Sequence, residues 1–116
     1  MTETGYFHAP VNLQVLIVTT KFHIMEKLAQ LALMDKISRE LEDLENSQTS
    51  VLKKVAQMEA DNINLGVALL DERLGELHEK VDGGIGVVST LRAEFTEHRD
   101  KFFTDNKLAA LLDPTA

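Results

Sequence analysis

Cysteine and tryptophan are absent from this sequence of 116 residues, and the other aromatic residues are one tyrosine and five phenylalanines. Without cysteine the chain has neither disulfides nor thiolate metal ligands. No aromatic residue occurs from Ile24 to Glu94, so a compact core would have to rely on aliphatic side chains there. This composition favours a narrow helical seam over a solitary compact domain.

Basic stripes are also absent, and the formal net charge is −7. A chain of this charge has no surface that would neutralise phosphates, so we expect no nucleic-acid partner. The most apolar run, residues 11–18, is far shorter than the roughly 20 residues of a membrane span. The segment before it contains Glu3 and neither Lys nor Arg, which is not typical of a secretory signal. We therefore expect no membrane span.

Helix breakers divide the chain. Gly5 and Pro10, with the β-branched residues that follow, favour an extended segment, whereas no proline occurs from Lys21 to Val81. Three glycines within residues 83–86 favour a hinge, although a continuous helix held straight by partner chains is an alternative. The predicted divisions are an extended anchor arm (1–20), a long coiled-coil helix (21–82), a glycine hinge (83–86), a second amphipathic helix (87–104) and a C-terminal tail (105–116).

Apolar residues recur with alternating spacings of three and four along both predicted helices, which is the pattern of a left-handed coiled coil. The two halves of the pattern are offset by two residues, so the supercoil must adjust between about Asn62 and Leu70. The sequence thus predicts an all-α fold, an elongated parallel coiled coil. Its predicted oligomer interface consists of Ile37, Leu41, Leu44, Gln48, Val51, Val55, Met58, Asn62, Leu65, Leu70, Leu74, Leu77, Val81, Val88, Leu91, Phe95, His98 and Phe102.

Two amides interrupt this apolar pattern. Gln48 and Asn62 fall at core positions, where an amide can hydrogen-bond to its equivalents in other chains and favour one register; the alternative is that a long seam tolerates them without a role. We expect Asn62→Leu to raise thermal stability while loosening the register. Ile37 and Val51 at d positions depart from the pattern of dimers. A trimer is therefore preferred over a dimer or a tetramer.

Chemistry-bearing residues form no recognisable catalytic pattern. The four histidines, His8, His23, His78 and His98, show no pair at metal-ligand spacing. The glycines of residues 83–86 lack the lysine and hydroxyl residue that end a phosphate-binding loop. We expect no enzyme activity, no metal and no cofactor. His98, at a seam position, could instead bring several imidazoles together on an oligomer axis, or it is a solvated residue near a frayed end.

The segment 35–44 (DKISRELEDL), followed by Ala68-Leu69-Leu70 and Leu74, resembles short coiled-coil proteins of tailed bacteriophage particles. The resemblance implies a virion component such as a fibre, needle, spike or decoration protein, usually trimeric, whose non-helical N-terminal segment attaches to the particle. The alternative is a cytoplasmic adaptor or regulator whose coil recruits a partner helix. The anchor residues predicted for attachment, by strand addition to a partner sheet, are Val11, Leu13, Val15, Leu16, Ile17 and Val18.

Overall fold

Two long helices pack side by side and give the chain, in this computed structural model, extents of 94 × 30 × 15 Å. The structure describes the backbone of residues 2–112 and the side chains of residues 12–112. The helices are α1 (Thr2–Leu65), α2 (Ala68–Asp105) and the short α3 (Ala109–Leu112). Within residues 2–112 there is no strand. The prediction of an elongated all-α fold is confirmed.

The helix predicted over residues 21–82 does not run through: the chain reverses at Gly66 and Val67. Gly66 has φ 73°, a left-handed conformation that glycine adopts without steric cost and that commonly ends a helix. Its N–H donates to the carbonyl of Asn62 at 2.7 Å, and Val67 is extended. As a result α2 returns antiparallel along α1, and the two helices form a hairpin within one chain.

Asn62 holds this turn together. Its Nδ2 donates to the carbonyl of Val67 at 3.0 Å and to Oδ1 of Asp71 at 2.9 Å, while its Oδ1 accepts from the Val67 N–H at 3.0 Å. The side chain is only 2% exposed. The expectation that this amide is a costly seam residue is therefore wrong, because its polar atoms are satisfied within the chain.

The glycines of residues 83–86 lie inside α2 and do not form the predicted hinge. The three glycines together cost the helix about 3 kcal/mol relative to alanine, and burial of Val88, which is 8% exposed, offsets much of this with roughly 1.5–3 kcal/mol. Gly84 also fits closely beside α1, since a Cβ at this position would lie 3.5 Å from Nε2 of Gln48. The alternative of a continuous helix describes this region, and the neighbour that supports it is α1 of the same chain.

The predicted extended arm is helical as well, because α1 begins at Thr2. β-propensity measures how well a residue packs on a pleated sheet, and the described part of the chain offers no strand to pair with. The threonines are accommodated: Thr19 Oγ1 donates to the carbonyl of Val15, and Thr20 Oγ1 to that of Leu16, both at 2.8 Å. Such bonds to the residue four positions earlier are compatible with a helix.

Aliphatic residues form the buried core of the interface between α1 and α2. Leu31, Val55 and Val88 are buried, with exposed fractions of 4%, 1% and 8%, and burial of such a side chain stabilises a fold by roughly 1.5–3 kcal/mol. The sequence predicted a parallel coiled coil between chains. Within the chain, α1 instead packs on the antiparallel α2, whose apolar residues recur at the same spacings. The trimer itself stays a prediction.

The segment predicted as a C-terminal tail contains further structure. Asn106 ends α2, with its N–H and its Nδ2 both donating to the carbonyl of Phe102, and Lys107 turns the chain with φ 53°. Leu108 is then only 1% exposed and is followed by α3. Residues 113–116 of the predicted tail lie outside the described residues.

Candidate interaction surfaces

The predicted interface residues fall into two sets once the hairpin is formed. One row of each helix faces the other helix, and the neighbouring row faces solvent, because the in-chain seam is rotated from the one predicted. The inward set is Leu41, Gln48, Val55, Asn62, Leu74, Val81, Val88, Phe95 and Phe102. The outward set is Ile37, Leu44, Val51, Met58, Leu65, Leu70, Leu77, Leu91 and His98.

One side of the seam carries ion pairs between the helices. Arg92 donates to Glu45 at 2.6 Å and approaches Glu42 at 3.9 Å, and Arg99 donates to Asp35 at 2.8 Å. The hydrogen bond from Arg92 to Glu45 raises the pKa of Arg92, and that from Arg99 to Asp35 raises the pKa of Arg99. Both guanidinium groups therefore stay charged at any ordinary pH.

His78 belongs to the same polar side. Its Nδ1 lies 2.6 Å from Oε1 of Glu59, close to the turn. The acidic residues of α1 thus meet the basic residues and the histidine of α2 in reverse order along the chain, which fixes the antiparallel register of the hairpin. This function of Glu45, Glu59 and Arg92 was missed by the sequence reasoning.

The opposite side of the hairpin is apolar. We call it the apolar face and define it by one row from each helix. These residues are Ile37, Leu44, Val51, Met58, Leu77, Gly84, Leu91 and His98. Both rows recur every seven residues on the flank away from the ion pairs. Their aliphatic members are 37–47% exposed, and the face contains no carboxylate, lysine or arginine.

Aromatic side chains line a groove at one end of the apolar face, where Ile37 and His98 come together with Phe95 and Phe102. The Phe95 and His98 rings stack with centroids 6.2 Å apart, and the Lys27 ammonium lies 5.4 Å from the Phe102 ring centroid. The groove confirms that the α1 row and the α2 row of the apolar face lie on the same side of the hairpin.

Gln48 lies between the seam and the apolar face, next to Gly84. Its Oε1 is buried without a hydrogen-bond partner among the described residues. An unsatisfied buried carbonyl costs roughly 1–3 kcal/mol. The amide predicted to meet its equivalents in other chains is thus left unsatisfied by the hairpin itself.

The first part of α1 extends past the end of the hairpin. We call residues 12–23 the α1 overhang; every side chain in it is exposed. Leu13, Leu16 and Ile17 are 57%, 61% and 49% exposed, and Val15 and Val18 are similar. These predicted anchor residues form an apolar helical segment, whereas Val11 lies outside the residues with described side chains.

No cluster of three potential metal ligands occurs among residues 12–112. His23 and His98 are exposed, His78 is engaged by Glu59, and His8 lies outside the described side chains. None of the helices, over their described residues, has a stretch apolar and long enough to cross a membrane.

No protein-family model, curated protein or solved structure matches the sequence.

Several buried residues were not predicted, although the sequence contained a signal for them. Leu52 and Ile85 contribute to the seam, and Leu31 and Leu108 are buried. On α2, Ile85, Arg92 and Arg99 recur every seven residues on the side that faces α1. This row is visible in the sequence only when charged residues are counted together with apolar ones. A search for two heptad rows of complementary charge in opposite order would have found the hairpin.

Proposed function

We propose that this chain is a non-enzymatic structural protein that self-associates through its helical hairpin and attaches to a larger assembly through the α1 overhang. The observation that carries the proposal is the exposure of Leu13, Leu16 and Ile17 on a helical segment that no other part of the described chain covers. Such a segment gains stability when a partner buries its aliphatic residues.

Attachment by a helix replaces the strand addition predicted from the sequence. An amphipathic or apolar helix docks by laying its side chains into a groove of its partner. The overhang presents Leu13, Leu16 and Ile17 at spacings of three and four, which lie along one helical face. The body of the hairpin, in which α1 continues for roughly 60 Å beyond the overhang at 1.5 Å per residue, would then project from the assembly.

The assembly that we propose is a bacteriophage particle, with the chain as a fibre, needle or decoration component of the virion. This part of the proposal is supported by the resemblance of residues 35–44 and of the leucines at 69, 70 and 74 to phage coiled-coil proteins. A cytoplasmic adaptor is the second candidate. The aromatic groove around Phe95 and Phe102 favours it, because such a groove fits a partner helix.

Particles assembled with altered chains test the attachment. We expect Leu13→Gln/Leu16→Gln/Ile17→Gln to abolish co-sedimentation of the chain with the particles, while its circular dichroism and mass stay unchanged. Ile63→Gln is a matched control, since Ile63 is 81% exposed near the turn, at the other end of α1. Attachment to the particles that survives the triple change would contradict the proposed anchor.

A further inference from the structure

The apolar face is the surface from which we infer a specific partner. It runs from Ile37 to Met58 on α1, roughly 30 Å at 1.5 Å per residue, and is about two helices or 20 Å wide. Its projected area is therefore roughly 600 Å² per partner, and the accessible area of protruding side chains exceeds their projection. That is the size class of a stable interface, which buries about 800 Å² on each partner.

The charges beside the apolar face indicate what covers it. Over the length of the apolar face, the next row outward on α1 is Glu40, Ser47 and Lys54, and on α2 it is Lys80, Val87 and Glu94; all six residues are exposed. We call these two rows the rim. In each rim row the middle residue is neutral, and the residues seven positions before and after it carry opposite charges. A row of this kind is complementary to itself when it is reversed.

The two neutral rim residues lie at the same height on the hairpin. Asp35 pairs with Arg99 at 2.8 Å, and Ser47 and Val87 each lie twelve residues from that pair towards the turn. A single two-fold axis, perpendicular to the helices, can therefore pass through the level of both residues. Gln48 and Gly84 lie next to this level.

We propose that the apolar face binds a second copy of this chain, and that the two hairpins form an antiparallel four-helix bundle about this two-fold axis. α1 then lies on α1 of the second copy, and Glu40 of each copy lies opposite Lys54 of the other. Lys80 and Glu94 pair in the same way on α2. This inference rests on the self-association in the proposed function, and it proposes a dimer of defined orientation and surface in place of the trimer preferred from the sequence.

The other two-fold arrangement places α1 on α2 of the second copy at equal heights. It would bring Glu40 towards Glu94 and Lys54 towards Lys80 of the two copies, so that like charges meet at both places. Repulsion of this kind selects one orientation over another. Glu40 has only a 3.8 Å contact with Lys36 in its own chain and is free to pair across the interface.

Gln48 fits the same arrangement. Its Oε1 is buried without a donor within the described chain, and its Nε2 lies beside Gly84, where a Cβ would be 3.5 Å away. Near the axis the two Gln48 amides approach each other, so each Nε2 can donate to the other Oε1 once the side chain turns towards the partner. An amide in this position favours one register.

Sedimentation equilibrium of the full chain measures the mass, and we expect a dimer. Val51→Asp, at a position that is 47% exposed, should raise the dimer Kd at least about 100-fold while helical content is retained. Ile63→Asp is the control and should leave Kd unchanged. A wild-type monomer or trimer would overturn the inference.

A charge exchange tests the orientation. Glu40→Lys alone and Lys54→Glu alone should each raise Kd roughly 5- to 20-fold by placing like charges together. The double variant should restore the dimer, although within one chain these two residues lie about 20 Å apart along the helix. If the double variant dimerises no better than the single variants, α1 does not lie antiparallel on α1.

Thiol crosslinking is an independent measurement, because the chain contains no native cysteine. Ser47→Cys should give a covalent dimer with a short bismaleimide, whereas Ser89→Cys, on the ion-paired side, should not; the reverse pattern would contradict the proposed face. Co-sedimentation of Val51→Asp with the particles then separates the two proposals. Attachment without dimerisation leaves the anchor intact, and dimerisation by a chain that never attaches leaves the interface intact.

Discussion

The hairpin body and the α1 overhang contain similar aliphatic residues but differ in what covers them. In the body, Leu31 and Val55 are 4% and 1% exposed, whereas Leu16 in the overhang is 61% exposed. The difference arises because α2 and the segment after it extend along α1 only as far as about residue 24, where the overhang ends. The comparison teaches that an apolar helix in this chain is stabilised by its neighbour, and that the overhang needs a neighbour from elsewhere.

Removing the turn should have the largest effect on this comparison, because it would make the body resemble the overhang. We expect Asn62→Leu to lower the free energy of unfolding by about 2–4 kcal/mol, since the three hydrogen bonds of the Asn62 amide to Val67 and Asp71 are lost together. Urea denaturation followed by circular dichroism measures the loss. Asn64→Leu is the matched control, because Asn64 is exposed; equal effects at the two positions would contradict the structure of the turn.

Truncating one leucine in each region tests the comparison directly. Leu31→Ala should destabilise the body by about 2–4 kcal/mol through lost burial and a cavity, whereas Leu16→Ala should change stability by less than about 0.5 kcal/mol. The midpoints of urea unfolding of the two variants give the contrast. A large effect at Leu16 would show that the overhang is already covered in the isolated protein.

Alanine substitutions at two glycines should change the stability of the chain in opposite directions. Gly66→Ala should cost about 1–2 kcal/mol, because the left-handed conformation strains any residue with a Cβ. Gly83→Ala should add about 0.5–1 kcal/mol, since a Cβ there meets nothing within 4 Å and helix propensity improves. Thermal melts of both variants decide whether the chain turns at residue 66 or at residues 83–86.

Deleting residues 1–20 should have the smallest effect on stability. The melting temperature of the hairpin is expected to stay within a few degrees, because the remaining helix keeps Ile24, Leu31 and every interhelical ion pair seen among the described residues. The measurement is a thermal melt of the truncated chain beside the full chain. A collapse of helical content would mean that the body depends on the overhang.

The all-α class could be predicted from the sequence because heptad spacing depends only on the 3.6-residue period of a helix. The position of the turn was less accessible. The offset of two residues between Asn62 and Leu70 was visible, but it was interpreted as a supercoil adjustment. Gly66 is a residue type that commonly ends helices, but the hinge was predicted at residues 83–86 because three glycines occur there. Glycine number alone does not decide a break, since packing against α1 holds those residues helical.

The sequence by itself determined that the chain is helical, elongated and two-sided, because these properties follow from the spacing of its apolar residues and the near absence of prolines. Only the tertiary structure decided which residues face inward. On α1 the row of Ile37, Leu44 and Val51 is more apolar than the row one position further on, which contains Glu45 and Glu59 and faces α2. Apolar content alone therefore selects the wrong row, and the choice depends on the Asn62 hydrogen bonds at the turn and on pairs such as Arg92–Glu45. Those interactions join residues distant in sequence, so they exist only once the two helices have met.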